Sequence, residues 1–225
     1  MAFILHLETS SARCSVALSA AGELIQSMEG EEAFSHARVL TLLVSDLLDK
    51  TGVSLDDLGA VAINLGPGSY TALRVGLSVA KGLCFGRDIP LITCTAFEVL
   101  ANQAPSDFEG IRIPMIDARR DEVYMQVYRS EHKVAEAQSF VLDENLLLAE
   151  VGTEKNILII GDAARKAPQW LKHSVFTFHE VHLNATMLVH ASWDKFTAGT
   201  FSDLAYTIPF YLKPPNIVAS KKKYF

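Results

Sequence analysis

A short apolar run, residues 60–63, leads into Leu65-Gly66-Pro67-Gly68-Ser69-Tyr70-Thr71-Ala72-Leu73-Arg74-Val75-Gly76 and on into a long apolar pattern of helical period. A buried strand that ends in a Gly-Pro-Gly turn and launches a helix admits few folds, because that helix must cover the sheet it leaves. Such a turn leaves several backbone N–H groups pointing outward at the helix start, where the dipole favours an anion or another electron-rich group. Capping of the helix by Ser69 or Thr71 is the plainer account of the same residues. No Lys-Ser/Thr pair follows, so this is not a Walker P-loop, and the third glycine of a dinucleotide fingerprint is missing.

The surrounding pattern extends that unit. Residues 3–7, 14–19 and 23–28 read as strands, broken by Thr9-Ser10-Ser11 and by Ala21-Gly22. A helix is expected over about 35–50, then the strand at 60–63, a helix to Gly86, a strand at 90–93 and a helix at 96–103. The order β-β-β-α-β-α-β-α predicts an α/β lobe in which helices cover a mixed sheet. The polar stretch Pro105-Ser106-Asp107 suits a lobe boundary, which gives the expected units 1–104 and 105–225.

Beyond the boundary, strands are expected at 111–116, 122–128, 134–142, 157–160 and 175–178, with helices at 143–150, 163–170 and 184–196, the last capped by Asn184. The second half echoes the first in outline. In each, an apolar strand ends on an acid (Glu8, then Asp117), followed by a polar turn and a returning strand.

Composition narrows the class. With 225 residues and 49% hydrophobic content the chain can fill a core, and a formal charge of −6 argues against its holding nucleic acid unaided. Cys14, Cys84 and Cys94 form no close pair, which suits reduced thiols. The apolar N-terminus has no basic flank and meets Glu8 at once, and no apolar run is long enough to span a bilayer, so a cytoplasmic protein is expected.

Few side chains point to catalysis. No two of the seven histidines stand at i and i+4, the spacing that places two imidazoles on one helical face as metal ligands. His179 and His182 come nearest, in a strand-to-helix connection where surface histidines are the better account, and no metal is expected. Ser15 and Ser69 lack a base at a recognisable distance. Arg119 and Arg120 beside Asp121 and Glu122 make a mixed-charge turn that either bridges to a partner or is simply solvated. Lys221, Lys222 and Lys223 with Tyr224 and Phe225 form a basic tail, a phosphate contact or a solubilising end.

Two helices carry more apolar surface than one sheet needs. In the helix at 36–50 only Arg38, Thr41, Ser45 and Asp49 form a polar stripe, and apolar residues take about two thirds of the circumference. The helix after Ser69 is alike, with Ala72, Gly76 and Ala80 at four-residue spacing letting another backbone approach. The surplus is either packing within the lobe or a subunit interface.

Two duplicated lobes, each opening on a β-turn-β unit with an acid, resemble the actin, hexokinase and Hsp70 ATPase (ASKHA) superfamily with its ribonuclease H-like, two-lobed α/β fold, each lobe a mixed sheet flanked by helices. Residues 4–18 with Glu8-Thr9-Ser10, the run 66–76, Asp117-Ala118-Arg119-Arg120-Asp121-Glu122-Val123-Tyr124 and Pro209-Phe210-Tyr211-Leu212-Lys213 together resemble the TsaB family. The match is specific from Met1 to about Tyr128 and from there to Pro209 rests on element order. Glu8 stands where that family usually has Asp, Ala72 where Gly is common, and Asp121 where Gly usually follows the arginines.

The resemblance implies a non-catalytic scaffold subunit supporting a TsaD-like catalytic partner in threonylcarbamoylation of adenosine in tRNA. It implies a homodimer when the chain is alone, a TsaE-like ATPase in the larger complex, tRNA contacted only through that complex, no cofactor and no membrane role. The implied partner interface is the two apolar helices, through His36, Leu40, Leu43, Leu47, Ala72, Leu73, Gly76, Leu77 and Ala80. Glu8, Thr9, Ser10, Gly66, Gly68, Ser69 and Asp117 are the implied cleft residues. There Glu8 and Asp117 either pair across the cleft or satisfy backbone donors of their own turns. The alternative is a stand-alone enzyme of the same fold, a small-molecule kinase or a metallohydrolase.

Overall fold

The computed structural model describes residues 2–30, 36–130, 132–152 and 154–214. The basic tail and the His36 side chain lie outside the described residues. In the first half, β1 (Phe3–Glu8), β2 (Ser15–Ala20) and β3 (Glu23–Glu29) precede α1 (His36–Thr51), β4 (Leu58–Asn64), α2 (Tyr70–Arg87), β5 (Leu91–Cys94) and α3 (Ala96–Ala101). Their sheet runs β3-β2-β1-β4-β5, antiparallel among the first three and parallel from β1 to β5.

The second half repeats the plan. It holds β6 (Ile111–Asp117), β7 (Glu122–Met125), a small hairpin of β8 (Tyr128–Arg129) and β9 (His132–Lys133), then β10 (Gln138–Val141) and α4 (Glu144–Val151). β11 (Ile157–Ile160), β12 (Phe176–His179) and α5 (Leu188–Thr197) complete it. The order β10-β7-β6-β11-β12 has the same antiparallel-then-parallel sense as the first sheet. The echo read in the sequence is therefore a repeat of topology. The expected helix at 163–170 is instead two 3-10 turns, Asp162–Arg165 and Ala167–Gln169, because Pro168 cannot supply an N–H to a continuous helix. Asn184 caps a 3-10 turn, Ala185–Met187, that leads into α5.

The helix faces settle the two-helix question differently from the sequence reading. Leu40, Leu43 and Leu47 on α1 and Ala72, Leu73, Leu77 and Ala80 on α2 are all buried inside the chain, with Gly76 beside them. So placed, they offer almost no surface to a second subunit. A helical wheel says which residues share a face, and this shared face packs on β1, β2 and β4 with Leu5, Leu7, Val16, Leu18, Val61 and Ile63. A Cβ at Gly76 would lie 2.3 Å from the Thr9 hydroxyl and 3.1 Å from Ile63 Cδ1, so the small residues of α2 serve its approach to its own sheet.

The opposite face of the first sheet is covered by a helix from the other half. Ile4, Ala60, Ala62 and Ile92 meet Trp193 and Phe196 of α5, the alanines leaving room for the two rings. Thus a boundary at 104/105 divides the sheets but not the helices, and we assign α5 to the first lobe's packing. Between the lobes, Ala96, Phe97, Leu100 and Ala101 of α3 pack with Ile116 and Tyr128, joined by Phe210 and Leu212. Among the described residues no helix is long and apolar enough to cross a membrane.

Candidate functional site

The strand ends of both sheets open on one cleft of about 730 Å³. Its first wall is the turn after β1 and the Gly-Pro-Gly turn, through Ser10, Ser11, Pro67, Gly68 and Ser69. The Gly66–Pro67 peptide is cis, and a Cβ at Gly68 would strike the Ser10 backbone 2.6 Å away. Glycine is thus required where the two turns touch. Ser69 takes the N-cap position of α2 without a capping bond from its hydroxyl, and its N–H is given to the Ser10 carbonyl.

Glu8 does not line this cleft. It is wholly buried, with Oε1 accepting from the Ser10 N–H and hydroxyl and Oε2 accepting from Asn64 Nδ2 at 2.7 Å. Burial pushes its carboxyl above the usual range, against the pull of those bonds from Ser10 and Asn64. Thr9 is also fully buried, and its hydroxyl has no hydrogen-bond partner. Gly66, at φ +106°, lies behind the cleft wall against Leu73 and the Phe210 carbonyl. Of the seven implied cleft residues, Ser10, Gly68, Ser69 and Asp117 line the cleft, and Glu8, Thr9 and Gly66 do not.

Asp117 stands on the second wall. Its Oδ1 accepts from the Arg119 N–H at 2.7 Å and from Lys166 Nζ, while its own N–H is held by Asp162 Oδ1 at 2.8 Å. Lys166 also donates to the Arg120 and Glu122 carbonyls, so one ammonium gathers the whole turn. Glu8 thus spends both carboxylate oxygens on neighbouring donors and Asp117 its Oδ1, as turn acids do. Asp162 opens the 3-10 turn after β11 and Asn64 ends β4, and the sequence reading assigned neither to the cleft. Burial raises the Asp162 carboxyl, opposed by the Asp117 N–H.

The turn itself is unusual. Arg119 and Arg120 sit at φ +77° and +51°, in the left-handed region that costs a non-glycine residue roughly 1–2 kcal/mol. Among the described residues neither guanidinium pairs with a carboxylate, although acids outnumber bases in the chain. Arg119 faces the cleft, near Tyr124 and Lys213.

A second concavity, of about 310 Å³, runs between the outer faces of α1 and α2. Val44, Leu48, Val53, Leu55, Val79 and Leu83 line it, with Thr41, Ser45 and Asp49 at its edge. Leu42 and Phe85 are exposed on the same two helices, at 59% and 82%. The surplus apolar surface read from these two helices is therefore present, on Val44, Leu48, Val79 and Leu83 rather than on the residues implied as the partner interface. Among the described residues no three His, Cys, Asp or Glu side chains gather as a metal site, and His182 pairs with Glu180 at 3.1 Å on the surface.

The family described as "TsaD: tRNA N6-adenosine threonylcarbamoyltransferase" matches residues 31–216. The TsaB protein of Haemophilus influenzae is 32% identical over 180 residues, 77% of this chain and 75% of that one. The TsaB protein of Bacillus subtilis is 31% identical over 147 residues, 65% of this chain and 63% of its own. In three dimensions the chain resembles YeaZ from Pseudomonas aeruginosa with a TM-score of 0.78 at 26% identity, over 94% of this chain and all of the other. An activator of 2-hydroxyisocaproyl-CoA dehydratase from Clostridium difficile, at 8% identity and a TM-score of 0.50 over 88% of this chain and 96% of that one, shares the fold alone. The sequence matches and the repeated two-sheet fold agree, and the chain belongs to the TsaB family of tRNA threonylcarbamoyladenosine biosynthesis proteins.

Proposed function

We propose that this chain works in the threonylcarbamoylation of adenosine in tRNA as a non-catalytic scaffold. It supports a TsaD-like catalytic subunit, pairs with a second copy when alone, and meets a TsaE-like ATPase and tRNA only in the larger assembly. The observation that carries the reading is the state of the two acids. Glu8 and Asp117, the groups a working cleft would aim at phosphate or metal, are held by donors of their own turns, Ser10 and Arg119, and by Asn64 and Lys166 from neighbouring elements. The docking face we assign is the groove between α1 and α2, with Val79 and Leu83 as its half-buried apolar contacts.

Three variants test this. Leu83→Asp places a charge in the groove at a half-buried side chain that also packs on the core, and Phe85→Asp places one at an 82% exposed position of the same helix. Both are expected to weaken self-association and partner binding by about 10–100-fold, the second with the melting temperature unchanged. Glu8→Gln is expected to leave the reconstituted modification reaction within about a few-fold of the unmodified chain. Analytical ultracentrifugation reads the first two and tRNA modification the third. Loss of about a thousandfold in modification by Glu8→Gln, with the complex still assembled, would mean that this lobe pair does chemistry. ATP turnover by the purified chain alone would favour the stand-alone enzyme.

A further inference from the structure

We propose that residues 202–213 form a strap that holds the two lobes at one separation, with the Lys213–Glu122 ion pair as its latch. The segment shows no helical or strand periodicity, and it is fastened at each step. Ser202 bridges to Leu91, with its hydroxyl 2.7 Å from that of Thr93. Leu204 packs against the first lobe's core, and Lys81 on α2 donates to the Ala205 carbonyl at 3.1 Å. The Phe210 N–H is given to the Leu65 carbonyl at 2.8 Å, and its ring meets Phe97 edge-on at 6.5 Å.

Tyr211 then stacks on Tyr70 with 4.5 Å between ring centroids and accepts at its hydroxyl from Arg74 Nε at 3.1 Å. Arg74 lies 4.2 Å over the Tyr70 ring, so the three side chains form one stack on α2. All of these fastenings are to the first lobe. The crossing comes next: Leu212 joins the cluster holding Ile116 and Tyr124, and Lys213 Nζ reaches Glu122 of β7. Glu122 is also held by the Ser139 hydroxyl, so the acceptor is fixed on the second sheet.

The strap therefore passes along the cleft, and Phe210, Tyr211, Leu212 and Lys213 form part of its wall. Enzymes that work by domain closure need two lobes free to swing about a hinge. Here α3 and β6 join the lobes through the cluster that also takes in Phe210 and Leu212, and Lys213 adds the ion pair to Glu122, so the strap holds the cleft at one width. The inference concerns the chain by itself and stands whether or not the groove between α1 and α2 binds a partner.

Single-molecule energy transfer on the full chain tests it, with dyes on Lys50→Cys in the first lobe and Glu136→Cys in the second. The native Cys14, Cys84 and Cys94 are buried and will not take label. The unmodified strap is expected to give one narrow distance distribution. Lys213→Glu, at an exposed position, is expected to shift it to longer distance and broaden it while thermal melting stays cooperative. Lys213→Glu combined with Glu122→Lys rebuilds the pair with its charges exchanged and is expected to restore the narrow peak. A distribution unmoved by Lys213→Glu, or a double variant no closer to the original than the single one, overturns the proposal.

Discussion

Gly76→Ala is expected to lower the melting temperature by about 3–10 °C, and Thr9→Ala in the same chain is expected to recover most of that loss. In an isolated helix the first change would help, since alanine is better than glycine by about 1 kcal/mol. The structure reverses the sign. A Cβ at position 76 would lie 2.3 Å from Thr9 Oγ1 and 2.9 Å from Thr9 Cγ2, with Ile63 Cδ1 at 3.1 Å on its other side. Thr9 is wholly buried and β-branched, so it has few rotamers to retreat into. Either α2 lifts from β1 or the turn that carries Ser10 shifts, and overpacking of this kind costs about 1–3 kcal/mol.

The rescue is the sharper half of the experiment. The Thr9 hydroxyl makes no hydrogen bond, so Thr9→Ala alone removes little beyond one methyl group and an unsatisfied donor. In the double variant the alanine at 76 fills the space left by the threonine branch, and the helix keeps its propensity gain. A thermodynamic cycle over the four chains should give a coupling of about 1–3 kcal/mol. If Gly76→Ala alone is as stable as the starting chain, or the double variant melts with the single one, the close approach of α2 to β1 is not what the glycine serves.

The same pair of helices shows what sequence could and could not give. Element order was legible because each unit carries a local signal: the short strands broken by polar turns before α1, the Gly-Pro-Gly turn before α2, the polar Pro105-Ser106-Asp107 stretch after α3. Helical period also grouped Leu40 with Leu43 and Leu47, and Leu73 with Leu77 and Ala80. Period carries no direction, however. Whether that face meets a sheet or a partner depends on where β1, β2 and β4 lie, and that is a long-range fact. The outward groove fell to Val79 and Leu83, which in sequence look no different from their neighbours.

The cleft shows the same limit. Ser10, Gly68, Ser69 and Asp117 were found because turns after strands have their own chemistry. Asn64, Asp162 and Lys166 were not, since each acts on a residue about fifty positions away. The strap was invisible to periodicity for a related reason. Its fastenings are single residues on α2, β5 and β7, and no repeat announces them.

Acid should expose a different buried group. His6 is fully buried, with Nε2 2.8 Å from the Ser19 hydroxyl and Nδ1 3.2 Å from that of Ser192. Burial lowers its pKa from the ordinary 6.5 to about 3, so the folded chain keeps it neutral well into acid. The unfolded chain takes up that proton near pH 6.5. Between the two values the unfolded state binds one more proton than the folded state, and stability therefore falls as pH falls, by about 1.4 kcal/mol per unit. Above pH 7 the group contributes no slope. Other buried acids act oppositely: Glu8 and Asp162, raised by burial, favour the folded state as pH drops through their folded values. A single pH curve would mix these contributions, so the comparison to make is between the unmodified chain and His6→Gln. At pH 7.5 the variant should be less stable by about 1–3 kcal/mol through its lost bonds to Ser19 and Ser192. At pH 5 the unmodified chain has lost about 2 kcal/mol that the variant has not, and the gap should close or reverse. Urea unfolding at the two pH values measures it, and an equal gap at both would show that His6 is protonated in the folded chain or reachable by water.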